Sequence, residues 1–302
     1  MEAALNRGLL IACLLGGSCA RATRVEPARS IADMQGPQGF ASVRAPTALP
    51  SVSLGDLQSS AMLRCDHSVC VMPLSALSAT APGLARVVLL EPGASLHVPA
   101  SRAMDVLGVV LSGTVDVRGE GRDVAESASE WTAFLQRNGA VVLQALRDVG
   151  PALVVVVVAE DPAPEALSEP GESTLTLRDL RQTSPQSWAS GAFVARTVFD
   201  ATDSPRASLT LLSVGARTAM PTHVHAESTE LLVPILADGM LHVASSSEPT
   251  MGAGNVVRAG QAQRVAAGQA HGWIAGGTLP FVAVQSYVPA GPERSYGRLA
   301  ER

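Results

Sequence analysis

The sequence predicts an all-β protein built from two tandem barrels of the jelly-roll type. Composition is the first reason. Hydrophobic residues reach 47%, but they are mostly Ala, Val and Leu, and 27 Gly and 20 Pro favour short strands and tight turns over long helices. Strand-like segments at even spacing are the second reason. The third is that the chain repeats a similar set of segments in the same order, which indicates a duplication.

The duplication is visible in four pairs of segments. Three of them pair residues 53–58 with 176–181, 89–94 with 211–216, and 109–117 with 235–243. The fourth is the apolar strand that closes each half, running to Pro162 in the first and to Pro289 in the second. Residues 115–117 alternate as in a half-buried strand, whereas residues 154–158 are uniformly apolar, which predicts a strand buried on both faces.

Composition between the repeats predicts the domain boundaries. A stretch rich in Arg, Ala, Pro and Ser precedes the first repeat, and a Pro- and Glu-rich stretch separates the two. The predicted units are a signal segment (1–22), a linker (23–52), an N-terminal barrel (53–162), a second linker (163–175) and a C-terminal barrel (176–302).

The N-terminus has the three parts of a secretory signal. Arg7 precedes a short apolar stretch, and small residues surround Cys19. The stretch is too short to stay in a bilayer as a helix. We therefore expect an exported protein, located in the periplasm, at the outer membrane or outside the cell. Two outcomes stay open: cleavage by an ordinary signal peptidase, or lipidation at Cys19, which would make that anchor the protein's membrane contact.

Cys65 and Cys70 lie outside the signal region, in the segment Cys-Asp-His-Ser-Val-Cys. In an oxidising compartment two cysteines this close can form a small-loop disulfide. The alternative is a metal site built on Cys-His-Cys, but the neighbouring sequence offers no fourth ligand. We predict the disulfide in the exported protein.

The charge pattern argues against one class of partner. The formal net charge is −5, and no basic stripe is visible in the sequence. Nucleic acids are bound mainly through clustered Lys and Arg. We therefore expect a small-molecule ligand or substrate and no nucleic acid.

The second half carries a group of residues with metal-ligating side chains. His223 and His225 are two residues apart, so on a strand both point to the same face. Glu230 follows after a short turn, and His271 comes one hairpin later. Three neutral imidazoles and one carboxylate suit Fe, Mn, Zn, Ni or Cu and leave coordination positions open. The sequence therefore predicts one divalent transition metal.

This pattern resembles the two motifs of the cupin superfamily. The first motif has His-x-His followed after three or four residues by Glu, as His223, His225 and Glu230 are spaced. The second has two glycines and a later His, with the spacing of Gly260, Gly268 and His271. The resemblance extends as a fold over residues 55–295. It implies a bicupin, two double-stranded β-helix barrels, with the metal motif in the C-terminal barrel alone.

The chain departs from the family pattern at two places. Ala266 stands where the family has Pro. Eight residues separate Glu230 from Gly239, where six are usual, and Pro234 lies between them. This predicts a bulge or a longer strand in that hairpin. It also leaves Glu227 as the alternative carboxylate ligand.

The first half has lost the metal-ligating side chains. Aligning the repeats places Ser101 and Ala103 at the positions of His223 and His225, and Val141 at that of His271. His97 lies several residues too early to replace them. We therefore expect no metal in the N-terminal barrel by this route.

The resemblance implies several activities and does not choose among them, since cupins include oxygenases, decarboxylases, isomerases and ligand-binding modules. The residues expected around the metal are Met220, Met240, Trp273 and Gln285. An apolar metal pocket favours oxygen activation on a small organic molecule over oxalate chemistry. A dioxygenase-like enzyme is thus the first hypothesis, and catalytic residues stay unassigned. The alternatives are a non-catalytic ligand-binding protein of the cell envelope and a structural bicupin without metal.

Overall fold

The computed structural model describes residues 43–52, 64–66, 68–71, 84–160, 172–245, 248–251 and 254–300. Its regular structure is almost entirely antiparallel β-strand, which confirms the predicted all-β class. The predicted signal segment and Cys19 lie outside the described residues, as do residues 53–63 and 161–171. Of the helices in the described ranges, none has the length and apolar character needed to cross a membrane.

The first ten strands belong to the N-terminal half. They are β1 (Arg64–Asp66), β2 (Val69–Val71), β3 (Leu84–Leu90), β4 (Ser95–Val98), β5 (Met104–Ser112), β6 (Thr114–Gly119), β7 (Glu126–Ser129), β8 (Thr132–Arg137), β9 (Val141–Ala145) and β10 (Ala152–Glu160). These strands are short and separated by tight turns, as the Gly-rich composition predicts. Gly113 shows the reason, because it joins β5 to β6 with a φ of 77°, a backbone conformation that favours glycine.

The remaining elements follow in the C-terminal half. They are β11 (Thr174–Asp179), β12 (Gln186–Trp188), β13 (Phe193–Phe199), β14 (Leu209–Val214), β15 (Ala219–His223), β16 (Thr229–Leu236), β17 (Gly239–Ser245), β18 (Glu248–Met251), β19 (Asn255–Val257), β20 (Gln263–Val265), β21 (His271–Ala275), β22 (Phe281–Val288) and helix α1 (Arg294–Ala300). Two single turns of 3-10 helix, Leu180–Gln182 and Ala189–Gly191, flank β12.

Each half is a jelly-roll barrel made of two facing sheets. The first barrel combines a sheet of order β1-β2-β3-β10-β5-β8-β11 with one of order β4-β9-β6-β7. The second combines β12-β13-β14-β22-β16-β20 with β15-β21-β17-β18, and β19 pairs with β17. A separate apolar core fills the inside of each barrel. The two sheet orders match closely, in agreement with the predicted duplication.

The two barrels pack against each other through the outer faces of their larger sheets. Strand β10 shows the arrangement, because Val154 and Val156 belong to the core inside the first barrel. Val155 and Val157 belong instead to a core between the barrels, together with Val284 of β22. The prediction that this strand is buried on both faces is therefore confirmed.

A buried polar cluster completes the contact between the barrels. Arg206, in the connection between β13 and β14, donates from Nη1 to Asp105 Oδ1 at 2.8 Å and to Asn138 Oδ1 at 2.7 Å. Ser204 Oγ donates to Asp105 Oδ2 at 2.6 Å. Asp105 is fully buried on β5, so its charge is compensated by groups from the other half of the chain.

Strand β11 joins the first barrel, although the domain boundary predicted from the sequence assigns most of it to the second. It pairs with β8 from Thr174 opposite Arg137 to Asp179 opposite Thr132. The physical reason is that β8 would otherwise present an unpaired edge. The segment paired with it in the repeat, residues 53–58, lies outside the described residues.

Residues 43–47 lie against the second barrel, although they precede the first barrel in the sequence. Ala45 N–H donates to the Gly191 carbonyl at 2.7 Å, and Arg196 Nη2 donates to the Thr47 carbonyl at 2.6 Å. Gly215 is required here, because a side chain at this position would collide with the backbone carbonyl of Val43. Each barrel is thus contacted by a segment that comes from outside its own half of the sequence.

Cys65 and Cys70 face each other across the β1–β2 hairpin, at the edge of the first barrel's larger sheet. Their sulfur atoms lie 2.08 Å apart, and their Cα atoms 3.9 Å apart. The hairpin thus places the pair in bonding contact, and the redox state of the exported protein stays a prediction.

Candidate metal centre

Four predicted ligands meet inside the second barrel. Strand β15 ends at His223 and β21 begins at His271, and these two residues are direct partners in the pairing of the two strands. Glu230 is the second residue of β16, in the facing sheet, and His225 lies in the connection between β15 and β16. The ligand atoms of all four lie within 4.8 Å of one another, and all four side chains are buried.

The two paired histidines are oriented by backbone carbonyls. Nδ1 of His223 lies 2.9 Å from the Pro221 carbonyl, and Nδ1 of His271 lies 3.0 Å from the Gln269 carbonyl. A carbonyl only accepts hydrogen bonds, so each Nδ1 carries the proton. In the neutral form of each ring the lone pair is then on Nε2, as in metal-binding histidines held by outer hydrogen bonds.

The two oxygens of Glu230 have different neighbours. Oε2 lies 2.7 Å from His271 Nε2 and 3.2 Å from His225 Nε2. Oε1 accepts a hydrogen bond of 2.7 Å from Gln285 Nε2. The carboxylate therefore presents one oxygen to the imidazoles and keeps the other bound to a neutral donor.

The electrostatics of the group favour a bound cation. Burial opposes ionisation of Glu230, but the His271 charge and the hydrogen bonds from both imidazoles lower the pKa of its carboxyl well below the usual value. Burial, reinforced by the neighbouring His271, lowers the pKa of His223 to about 3, which keeps that ring neutral. Burial also disfavours protonation of His271, but the Glu230 charge outweighs it and raises the pKa of that ring. Positive charge is thus stabilised beside Glu230 Oε2.

Glu227, the alternative carboxylate, is exposed in the connection before β16. The extra length between Glu230 and Gly239 is taken up further along β16. There the pairing with β22 shifts register between Pro234 and Leu236, which confirms the predicted bulge. The irregularity therefore lies beyond Glu230 and leaves its register undisturbed.

The residues predicted to surround the metal separate into two groups. Met220 and Trp273 lie in the apolar core inside the second barrel, and Gln285 contacts Glu230. Met240 points away from the site and lines an outer cavity of about 610 Å³ with Asp238 and Leu279. The alternation along β17 explains this, because Leu241 is the residue that faces the interior.

Two tyrosines near the site are not predicted from the sequence. The Tyr287 ring packs edge-on against His225, with 4.7 Å between centroids. Tyr296, on α1, lies inside the same core and reaches the hydroxyl of Tyr287 at 2.8 Å. Burial raises the pKa of both phenols, so both keep their protons. Tyr287 shares the strand face of Gln285, but no local pattern relates Tyr296 to the ligands.

In the first barrel, valines occupy the corresponding positions. Val98 of β4 pairs with Val141 of β9 as His223 pairs with His271, and both valines lie in the core with Val106. The prediction from the aligned repeats that Ser101 takes this position is wrong, because Ser101 is exposed and follows the end of β4. His97 is exposed on the outside of the same sheet. In the described first barrel the corresponding interior positions are therefore occupied by apolar side chains.

Comparisons with known proteins relate the chain to others through its fold. No family model and no curated protein matches it. Among solved structures, it is similar to a Lactobacillus farciminis oxalate decarboxylase formate complex, with a TM-score of 0.59, 13% identity, and coverage of 84% of this chain and 88% of that one. A Bacillus subtilis oxalate decarboxylase variant gives a TM-score of 0.60 at 14% identity, covering 83% of this chain and 78% of that one. The Bacillus subtilis enzyme at pH 4.6 gives 0.58 at 15% identity, with the same two coverages. At these identities the likeness shows a bicupin fold.

Proposed function

We propose that this protein is a metal-binding bicupin that holds one divalent transition metal in its C-terminal barrel. The observation that carries the proposal is the convergence of four buried ligand atoms, from His223, His225, Glu230 and His271, within 4.8 Å. Three imidazole nitrogens and one carboxylate oxygen fit Fe, Mn, Zn, Ni or Cu. Two of the three rings are also held by backbone carbonyls, which supports a set of ligands oriented before the metal arrives.

Oxidative chemistry on a small organic molecule is the activity that we propose for this centre. When bound, the metal would polarise substrate oxygens or O₂ at its open positions. The protein's own residues would orient the ligands and keep water away, since the group is buried in a barrel whose apolar core includes Met220, Trp273 and Tyr287. The proposal places the activity in the dioxygenase-like class.

Acid–base chemistry, which a decarboxylase or isomerase needs, has less support from the surroundings of the ligands. Glu227 is exposed. Glu293 is buried, but its carboxylate accepts hydrogen bonds from the backbone N–H groups of Ala201 and Gly291. The two buried tyrosines keep their protons, as described above. For this reason we do not extend the oxalate chemistry in the names of the similar structures to this chain.

A non-catalytic binding protein is the second candidate, and the burial of the centre favours it. His225 is the most exposed of the four ligands, at 5%. So closed a centre restricts large substrates, which fits a metal that binds one small ligand. Such a protein would serve ligand binding at the cell envelope.

The location outside the cytoplasm is part of the proposal. It is supported by the signal-like pattern of residues 1–22, including Cys19. The mass of the N-terminal peptide from protein purified with its native leader tests it. A peptide that begins near residue 20 supports export, and added lipid mass on Cys19 identifies the lipoprotein. An intact Met1 in fractionated cells would contradict export.

Elemental analysis of the full-length protein tests the metal site. We expect close to one transition metal per chain, and its loss in His223→Ala and in His271→Ala. Both variants should stay folded, because apolar strand packing holds the barrel. Metal that persists in both variants would contradict the proposed site. Oxygen-electrode measurements with candidate aromatic and aliphatic substrates then separate the enzyme from the binding protein.

A further inference from the structure

A hydrogen-bonded chain connects the C-terminal helix to the candidate metal centre. Tyr287 Oη lies 2.8 Å from Tyr296 Oη, and Tyr296 Oη lies 2.5 Å from Gln285 Oε1. Gln285 Nε2 lies 2.7 Å from Glu230 Oε1. All four residues are at most 2% exposed, so water does not compete for these bonds. The protein has 2 Tyr in all, and both take part in this series of hydrogen bonds.

In this series of hydrogen bonds, the direction in which each group donates is determined by its neighbour. An ionised carboxylate only accepts, so Gln285 must present its NH₂ group to Glu230. The amide oxygen then faces Tyr296, whose hydroxyl donates to it. A phenol has a single proton, so the bond between the two tyrosines must use the proton of Tyr287. The donors therefore all point toward Glu230.

The result of this arrangement is a carboxylate held in one orientation. Gln285 occupies Oε1, and Oε2 is left facing the Nε2 atoms of His225 and His271. The Glu230 carboxylate fixes which end of the Gln285 amide meets it, and Tyr296 holds the other end of that amide in place. With the amide reversed, its oxygen would face a carboxylate oxygen with no proton between them. Repulsion between these two oxygens disfavours the reversed amide, and the hydrogen bond from Tyr296 holds the amide in its remaining orientation.

We propose that Tyr296 is a positioning residue of the metal centre, which acts through Gln285 to direct Glu230 Oε2 at the metal. The inference rests on the proposed metal site and deepens it. It adds that Glu230 coordinates through one oxygen, and that α1 is part of the metal centre although it supplies no ligand. Removal of the Tyr296 hydroxyl should then alter how the metal is coordinated.

The hydroxyl can be tested apart from the packing of the ring. The Tyr296 ring stacks on Trp188, with 5.1 Å between centroids and an angle of 12° between planes. Tyr296→Phe keeps this stack and removes one oxygen. Gln285→Met removes the amide and keeps a side chain of similar length. Tyr287→Phe is the matched control, because it also removes a buried phenol oxygen but leaves the Tyr296–Gln285 bond in place.

The experiment is a titration of metal-free full-length protein with Co²⁺ alone, followed by its visible absorption spectrum. Intensity and position of the Co²⁺ bands report coordination number and geometry. For outer hydrogen-bond partners of metal ligands, losses of roughly 10–100-fold in metal affinity are typical. We expect a loss in this range and an altered spectrum in Gln285→Met and Tyr296→Phe. Tyr287→Phe should show a smaller change than Tyr296→Phe.

The outcomes separate this inference from the proposed function. If wild-type protein fails to bind Co²⁺, the proposed metal site is overturned, and the positioning role with it. If wild type binds Co²⁺ but Tyr296→Phe and Gln285→Met keep its affinity and spectrum, the metal site stands and the positioning role is overturned. Lower thermal stability in those variants, without a change in the Co²⁺ spectrum, would show that Tyr296 contributes to packing and not to the metal centre. A larger effect from Tyr287→Phe than from Tyr296→Phe would overturn the direction of the chain.

Discussion

Glu227 and Glu230 have the same side chain and very different environments. Glu230 is 1% exposed, and each of its oxygens has a defined neighbour. Glu227 is exposed before β16 begins. A buried carboxylate that contacts two imidazoles is placed where it could serve as a metal ligand, whereas an exposed carboxylate is hydrated. The two residues therefore offer a matched pair for mutation.

We predict that Glu230→Gln loses metal and Glu227→Gln keeps it. The first variant removes the negative charge that stabilises a cation among three imidazoles. Its metal affinity should therefore fall by at least about 10–100-fold, the loss that is typical when only an outer hydrogen-bond partner of a ligand is removed. The second variant removes a solvated charge. Metal content after dialysis against a weak chelator measures the difference. Loss of metal in Glu227→Gln with retention in Glu230→Gln would contradict the assignment of the carboxylate.

The candidate ligands could be chosen from the sequence because imidazole and carboxylate side chains at this spacing are typical of a metal site. The expected strand alternation of His223 and His225 is wrong, because β15 ends at His223 and His225 lies in the connection that follows, but the two rings still meet. Met240 shows the limit of such reasoning, because a shift of one residue along β17 moves a side chain to the other face. Tyr296 shows a second limit. Its place beside Gln285 depends on how α1 folds back onto the barrel, which is a tertiary contact without a local pattern.

At the level of strands, the two barrels show how similar elements can carry different interiors. The four-stranded sheet of the first barrel has the same order of strands as its counterpart, but its interior is closed with valines. Gly108 on β5 contributes to this closure. A Cβ at that position would press on the Phe134 ring and on the Val155 carbonyl. The interior of the first barrel is thus closely packed with side chains.

Gly108→Ala should therefore destabilise the protein. Overpacking of a well-packed core costs about 1–3 kcal/mol. Gly276→Ala is the control, since a Cβ there would meet no heavy atom within 4 Å. At compatible sites Gly→Ala stabilises by about 0.4–1 kcal/mol. Urea unfolding followed by circular dichroism measures both variants, and equal stabilities would show that the Phe134 ring can move aside.

The β1–β2 hairpin supports a prediction about oxidation. Cys65 is exposed and Cys70 is buried at the sheet edge. Protein exported with its own leader should contain them as a linked pair, visible by mass spectrometry of unreduced peptides. Cys65→Ala should lower the free energy of unfolding by about 2 kcal/mol, because a loop this short restricts the unfolded chain modestly. Two free thiols in mature exported protein would contradict the link.

At the level of the whole molecule, the barrels are joined by exchanged segments and a shared core. The repeats in the sequence indicate two barrels, but they do not indicate which barrel β11 completes. The reason is that a strand's apolar pattern is the same whichever sheet it joins. Pairing with β8 and the position of residues 43–52 are long-range results of covering open edges. Neither half of the sequence alone thus contains the whole of its barrel, and experiments belong on the full chain.

The buried cluster of Asp105 and Arg206 gives the last prediction, which concerns the union of the two barrels. Arg206→Met leaves the Asp105 carboxylate buried with Ser204 and the Asn138 backbone as its remaining donors. Breaking a buried ion pair from one side typically costs about 3–5 kcal/mol, because a charge is left without its partner. Glu126→Gln is the control, since it breaks an Arg122–Glu126 pair whose side chains are 40% and 43% exposed. Such exposed pairs contribute between about 0 and 1 kcal/mol.

Chemical unfolding monitored by circular dichroism and by tryptophan fluorescence measures these losses. Combining Arg206→Met with Asp105→Leu should recover part of the stability lost in the single variant, because neither charge is then buried alone. Recovery identifies the cost as that of an unpaired carboxylate and not as lost contact area. If Arg206→Met unfolds at the same denaturant concentration as Glu126→Gln, the cluster does not hold the barrels together. The apolar core between β10 and β22 would then account for the interface by itself.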